Sequence, residues 1–303
     1  MVDVINPDTF FRENLSAKGF ALTRAQDRLM SMRDGMTGFG SGLHVLNPYF
    51  KLMPGELTTI GGRAGTGKTA IGLQIVHNVL VELKASNRPG KVCVFSAEMD
   101  GETLMLREAC AWEKIPLWHL QTGQATKEEY ERVSNRLSNM DDERMMIDES
   151  SAPTLEHMIS QLEIVREVYG KIAMVLFDYT ELSGEFERVE SQRIAKISRG
   201  LKAIAKKYQC PVLTLSQLNR DIESRSDRTP TMRDLMHGGE REPDRIMVLL
   251  RPWLYDKAQQ KDLVYAYIVK NRNGPLGEAA LFFHEQTMRF SSAEIFRTDL
   301  NEE

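Results

Sequence analysis

The chain has 303 residues, of which 42% are hydrophobic and 27% charged, the composition of a globular protein with a sizeable core. A formal net charge of −4 argues against a protein that coats nucleic acid by overall electrostatics, so any such contact is expected to be local. Three cysteines without a CxxC pair and six histidines without HExxH spacing argue against a disulfide framework and a zinc site. No apolar run approaches about 18 residues, and the start MVDVINPDTFFREN lacks a signal core or transit-peptide character, so a cytoplasmic location without membrane contact is expected.

In chain order, short helical stretches around Phe10–Leu15 and Arg24–Met32 read as an arm, residues 1–35, outside a core spanning 36–292, with a tail at 293–303. The strand LTTI (57–60) leads into Gly62-Arg63-Ala64-Gly65-Thr66-Gly67-Lys68-Thr69, a complete GxxxxGK[ST] followed by the helical stretch AIGLQIVHNVL. Glycines let the backbone N–H groups turn inward around phosphate oxygens. Lys68 is expected to reach the β and γ phosphates of ATP, and Thr69 to hold Mg2+. Apolar runs follow at 92–95, 145–147, 172–177 and 212–215. Between them, Leu155–Tyr169 carries a helical stripe, with Thr154 as N-cap and Gly170 as stop, and 191–208 repeats the pattern. Strands alternating with helices predict an α/β fold with a mainly parallel twisted sheet. Runs at 246–250, 265–269, 279–283 and 288–290, with little helix between, predict an antiparallel extension. Its hairpin connection contains Asn273, Gly274, Pro275 and Gly277, with Lys270 and Arg272 at the base.

In a parallel sheet all strand C-termini open on one rim, so polar residues just after other strands converge on the phosphate loop. IAMVLFD ends in Asp178, the apolar run plus carboxylate that orients Mg2+ in a Walker B strand. VCVFSAEM places Glu98 to polarise an attacking water, and VLTLSQ ends in Gln217, an amide suited to sensing the γ phosphate. Taken singly, each residue also fits a helix cap or a satisfied polar strand end.

The segments TGFGSGLHVLNPYFKLMPGELTTIGGRAGTGKT, VFSAEM, VLFDYTEL, RIAKISRGLKAIAKKYQCPVLTLSQLNR and KNRNGPLG, in order from about Met36 to Phe290, resemble the RecA-type motor domain of DnaB-type replicative helicases. The resemblance implies a RecA-like P-loop NTPase core and a homo-oligomeric ring, usually a hexamer, with nucleotide between neighbours and single-stranded DNA in the pore. It also implies that Lys270 and Arg272 meet the γ phosphate held by the adjacent subunit. The family's DNA-binding loops correspond to 183–190 and 221–239, with Arg188, Arg193, Arg225, Arg228, Arg233, Gly238 and Gly239 as candidate contacts. A helicase loader or primase is the further partner implied. Met236 stands where the family commonly has a basic residue. About 35 residues ahead of the core are too few for the family's collar domain, whereas Arg24–Met32 resembles the linker helix that packs on a neighbour. The expected activity is ATP-dependent translocation on single-stranded DNA in replication, in a chain of a size that suits phage or plasmid coding. The alternatives are a recombination or branch-migration ATPase of the same fold, or a non-motor assembly switch.

Overall fold

A computed structural model describes residues 18–33, 37–140, 143–235 and 239–293. The chain divides into two compact units, Met1–Gly38 and Phe39–Glu303. Within the first, Lys18–Arg33 forms helix α1, which exposes Leu22, Leu29, Met30 and Met32. It runs longer than the expected stretch at Arg24–Met32, while the stretch at Phe10–Leu15 lies outside the described residues.

The second unit is built on strands β1 (Leu57–Gly62), β2 (Lys91–Ser96), β3 (Met145–Asp148), β4 (Ile172–Asp178), β5 (Val212–Gln217), β6 (Arg245–Leu250), β7 (Leu263–Asn271), β8 (Gly277–His284) and β9 (Arg289–Ser292). They form one nine-stranded sheet in the order β3-β2-β4-β5-β1-β6-β7-β8-β9. All pairings from β3 through β6 are parallel, and β7 to β9 add antiparallel. The expected antiparallel extension therefore begins one strand later than the sequence suggested. Residues 218–244 form a connection long enough to cross back, so β6 runs parallel to β1, with Thr58 opposite Arg245 and Gly62 opposite Leu249.

Helices α2 (Lys68–Ala85), α3 (Gly101–Glu113), α4 (Leu117–Gln121), α5 (Lys127–Ser138), α6 (Leu155–Tyr169), α7 (Glu190–Tyr208) and α8 (Asp221–Ser224) complete the unit. Period-two alternation divides the central strands between two cores. Val92 and Val94 pack on one face with Ile71, Ile75, Val79 and Leu83 of α2, whereas Cys93 and Phe95 face Met158 and Leu162 of α6 and Ile197 and Leu201 of α7. Each such side chain, fully buried, contributes about 1.5–3 kcal/mol. Thr154 caps α6 by accepting from the His157 N–H at 3.1 Å, and Gly170 ends it at φ 84°. The three cysteines are free and buried, and burial pushes the Cys93 and Cys210 thiols up to about 12. Among the described residues, no helix is long and apolar enough to cross a membrane.

Candidate active site

The phosphate loop joins the end of β1 to the start of α2. Gly65 and Gly67 adopt φ 78° and 90°, the left-handed region that L side chains rarely enter. A Cβ on Gly67 would also lie 2.7 Å from the Phe290 ring. These two glycines let the chain reverse and present the first N–H groups of α2 to the cleft, where the positive end of the helix favours an anion.

The sheet register brings the other strand ends to this loop. Gly62 lies opposite Gln217 of β5, and Ser96 of β2 lies opposite Asp178 of β4. Lys68, Thr69, Glu98, Asp178 and Gln217 line one cleft of about 260 Å³, so three carboxyl- or amide-bearing residues from three different strands share it with the loop. Lys68 Nζ donates to the carbonyls of Gly62 (2.9 Å) and Arg63 (3.3 Å). Burial lowers the Lys68 ammonium below its ordinary value, against the pull of the Glu181, Asp178 and Glu98 carboxylates. Asp178, 4% exposed, has its carboxyl pushed up to about 6 by burial. A hydrogen bond with Thr69 and the Lys68 charge oppose that rise, and Glu98 and Glu181 add to it.

Sequence reasoning missed four residues at this rim. Glu181, three positions beyond Asp178, accepts from the Ser216 hydroxyl (2.7 Å) and the Gln217 N–H (2.8 Å), and burial raises its carboxyl pKa. It fixes the backbone beneath Gln217. Arg251, 1% exposed, donates to the carbonyls of Gly65 (3.0 Å) and Lys261 (2.9 Å) and pairs with Glu285 at 3.2 Å. The loop is thereby pinned from the far side. Arg107 and Glu285 line the cleft itself. A signal for Arg251 existed, since it follows β6 directly, but it is legible only once β6 is known to run parallel.

Lys270 and Arg272 do not line this cleft. Lys270 lies opposite Ile246, which lies opposite Thr59, about three residues or roughly 10 Å short of Gly62 along the strands. The pair therefore sits towards the opposite rim. Lys270 Nζ donates to the carbonyls of Glu240 (2.8 Å) and Arg241 (2.9 Å), while Arg272 donates to the Arg241 carbonyl (3.1 Å) and pairs with Asp244 at 3.4 Å. Burial and then the Arg272 charge lower the Lys270 ammonium. Asp244 also accepts from the Leu57 N–H (2.9 Å) and Lys202 (2.6 Å), which ties the pair to the beginning of β1.

The candidate DNA contacts divide into two groups. Arg188 and Arg233 are exposed. Arg193 is turned inward onto the carbonyls of Glu181 (3.1 Å) and Ser183 (3.0 Å), and Arg225 pairs with Asp234 at 2.9 Å. Arg228 donates to the Glu223 carbonyl at 3.3 Å and lies 5.0 Å over the Tyr255 ring. Gly239 is buried, whereas Met236, His237 and Gly238 lie outside the described residues.

The arrangement matches known proteins along most of its length. Residues 38–292 match the family described as DnaB-like helicase C terminal domain. The replicative DNA helicase DnaB of Buchnera aphidicola subsp. Schizaphis graminum is 34% identical over 279 residues, covering 89% of this chain and 59% of that protein. The replicative DNA helicase DnaC of Bacillus subtilis is 30% identical over 275 residues, covering 88% and 59%. The chain thus spans about three fifths of the length of these relatives. Among solved structures, the ATPase domain of G40P superposes with a TM-score of 0.81 at 24% identity, covering 92% of this chain and 99% of that one. A DnaB-like replicative helicase, solved in a study of its interactions with primase, gives 0.79 at 24%, covering 92% and 67%. With a phosphate loop, its strand-end partners and this continuous match on one chain, the protein belongs to the DnaB-like helicase C-terminal domain family.

Proposed function

We propose that the chain is the ATP-hydrolysing motor of a ring-forming DNA helicase that translocates on single-stranded DNA in replication, its cleft completed by Lys270 and Arg272 of a neighbouring copy. The observation that carries this reading is the placement of the phosphate loop and the cation pair towards opposite ends of β1 and β6. A subunit that supplies both cannot bring them together on one nucleotide, whereas two subunits set head to tail can.

The residues present fit ATP and Mg2+. A cradle of N–H groups, one lysine and the Asp178 carboxyl in hydrogen bond with Thr69 suit a nucleotide phosphate with its cation. Thr69 and Asp178 would hold Mg2+, which supplies neutralisation of phosphate charge when bound. Glu98, exposed on the cleft wall, accepts the proton of the attacking water. Lys68 moves from the Gly62 and Arg63 carbonyls to the phosphate oxygens. Gln217, fixed through Glu181, registers the γ phosphate and begins the segment that leads to 221–239. Exposed Arg188 and Arg233 and the backbone near Gly239 contact the phosphates of the single strand without reading its bases. Helix α1 would serve as the linker that packs on a neighbour, and a loader or primase would join the assembled ring.

The test is subunit mixing. Lys68→Ala and Arg272→Ala are each expected to stop turnover, with nucleotide binding kept in the second. Mixed together they are expected to regain part of it, because some interfaces then combine an intact cradle with an intact cation pair. Absence of any recovery in mixtures that co-assemble refutes completion between subunits. Turnover equal with and without single-stranded DNA refutes the motor.

A further inference from the structure

Arg63 reaches in two directions. Its carbonyl accepts from Lys68 Nζ at 3.3 Å and from the Thr66 hydroxyl at 2.8 Å, so its main chain is part of the cradle. Its guanidinium leaves the cradle and donates to Glu223 at 2.6 Å and to the Leu218 carbonyl at 2.8 Å. Glu223 belongs to α8, the first turn of the segment proposed to hold DNA, and its own carbonyl accepts from Arg228 further along that segment. At the other root, the Glu240 and Arg241 carbonyls accept from Lys270 and Arg272. The segment is therefore tied at one end to the loop that carries the catalytic lysine, and at the other to the cations assigned to the cleft next door.

We propose that Glu223 is a positioning residue which, through Arg63, passes engagement of α8 and the described residues after it, 221–235, by single-stranded DNA to Lys68 of the same subunit. The inference rests on the function proposed above and names the route of its DNA dependence. The Arg63 and Glu223 side chains are 18% and 44% exposed, an environment in which an ion pair adds little to stability. Two directional hydrogen bonds nevertheless hold the guanidinium, one to Glu223 of α8 and one to the Leu218 carbonyl just beyond β5, so a displacement of α8 pulls on Arg63 through Glu223. Because the Arg63 carbonyl is itself a partner of Lys68, that displacement reaches the ammonium through a single residue. Lys68 then has two arrangements, on the loop carbonyls or on phosphate, and the segment biases the choice.

The experiment measures steady-state ATP turnover with and without an oligothymidylate for the wild-type chain, Glu223→Gln and Glu223→Asp, together with oligothymidylate affinity at one fixed salt concentration. Glu223→Gln is expected to lose at least about fivefold of the ratio of DNA-stimulated to DNA-free turnover, the lower end of ordinary coupling between sites, and to lose more of that ratio than of oligothymidylate affinity. Glu223→Asp is expected to restore part of the stimulation, since it keeps the charge for Arg63. Glu223→Ala supplies a second reading if the amide variant folds poorly. If wild type is stimulated and the Gln and Ala variants are stimulated equally, this inference falls and the motor reading stands. Loss of DNA affinity in proportion to the lost stimulation also overturns it, because Glu223 would then act on binding. A wild-type chain that DNA does not stimulate overturns both.

Discussion

Replacing Asp178 by Asn is expected to make the nucleotide-free protein more stable while abolishing turnover. In the folded chain the Asp178 carboxyl is pushed from 3.8 to about 6, chiefly by burial. The folded state then holds its proton more tightly than the unfolded state does. The stability this confers is fully present below the unfolded value of 3.8 and is lost as pH rises through about 6. At about 1.36 kcal/mol per pKa unit, the ionised carboxylate costs the fold about 3 kcal/mol at pH 8 and about 1.5 kcal/mol at pH 5. Asn has the shape of the protonated acid and does not ionise, so the variant escapes this cost. The attraction of Lys68 already lowers the Asp178 value of about 6, so it is contained in the expected gain of about 3 kcal/mol. Urea unfolding of both proteins at pH 5 and pH 8, without nucleotide or Mg2+, measures the gap, since other titrating groups cancel in the difference. A gap that does not change with pH, or a variant less stable than wild type at pH 8, refutes the argument. Added ATP with Mg2+ is expected to reverse the order, because only wild type gains binding energy from a carboxylate beside the metal.

Gly67→Ala is expected to lower the melting temperature and abolish nucleotide binding. A side chain at φ 90° costs about 1–2 kcal/mol, and its Cβ would meet Phe290 at 2.7 Å. Unchanged thermal unfolding would show that the loop can adopt another path. Arg251→Met deprives the Gly65 and Lys261 carbonyls of a charged donor. Charged hydrogen bonds contribute about 1.5–3 kcal/mol, so at least about tenfold weaker binding of a fluorescent nucleotide is expected, and equal affinity would refute pinning of the loop. Leu29→Glu alters an exposed apolar position of α1. It is expected to leave unfolding unchanged and reduce assembly in sedimentation, and full assembly would remove α1 from the proposed contacts.

The phosphate loop, the two rim carboxylates and Gln217 lie where strand order and the apolar-run-then-polar pattern put them, because those features follow from local periodicity and from the shared direction of parallel strands. The direction of β6 was not legible. An apolar run of six residues reads the same parallel or antiparallel, and what decides is the crossover at 218–244, which carries little periodicity. That single misreading concealed Arg251. Glu181 was hidden differently, since a carboxylate three residues past a strand resembles an ordinary surface acid until the fold sets it beneath Gln217. Nor can a sequence distinguish Arg188, left exposed, from Arg193, spent on two main-chain carbonyls. Both are arginines on loops or helix starts, and only packing separates them.

The separation of cradle and cations along β1 and β6 also bears on how many copies assemble. With the completion between copies proposed above, each molecule would donate through one surface and receive through another, so contacts between copies would be unlike at their two sides and no pair of molecules could satisfy itself. A closed circle of n copies holds n finished clefts, and a gapped one holds n − 1. Opening the circle to admit a strand would silence one cleft and leave the others intact.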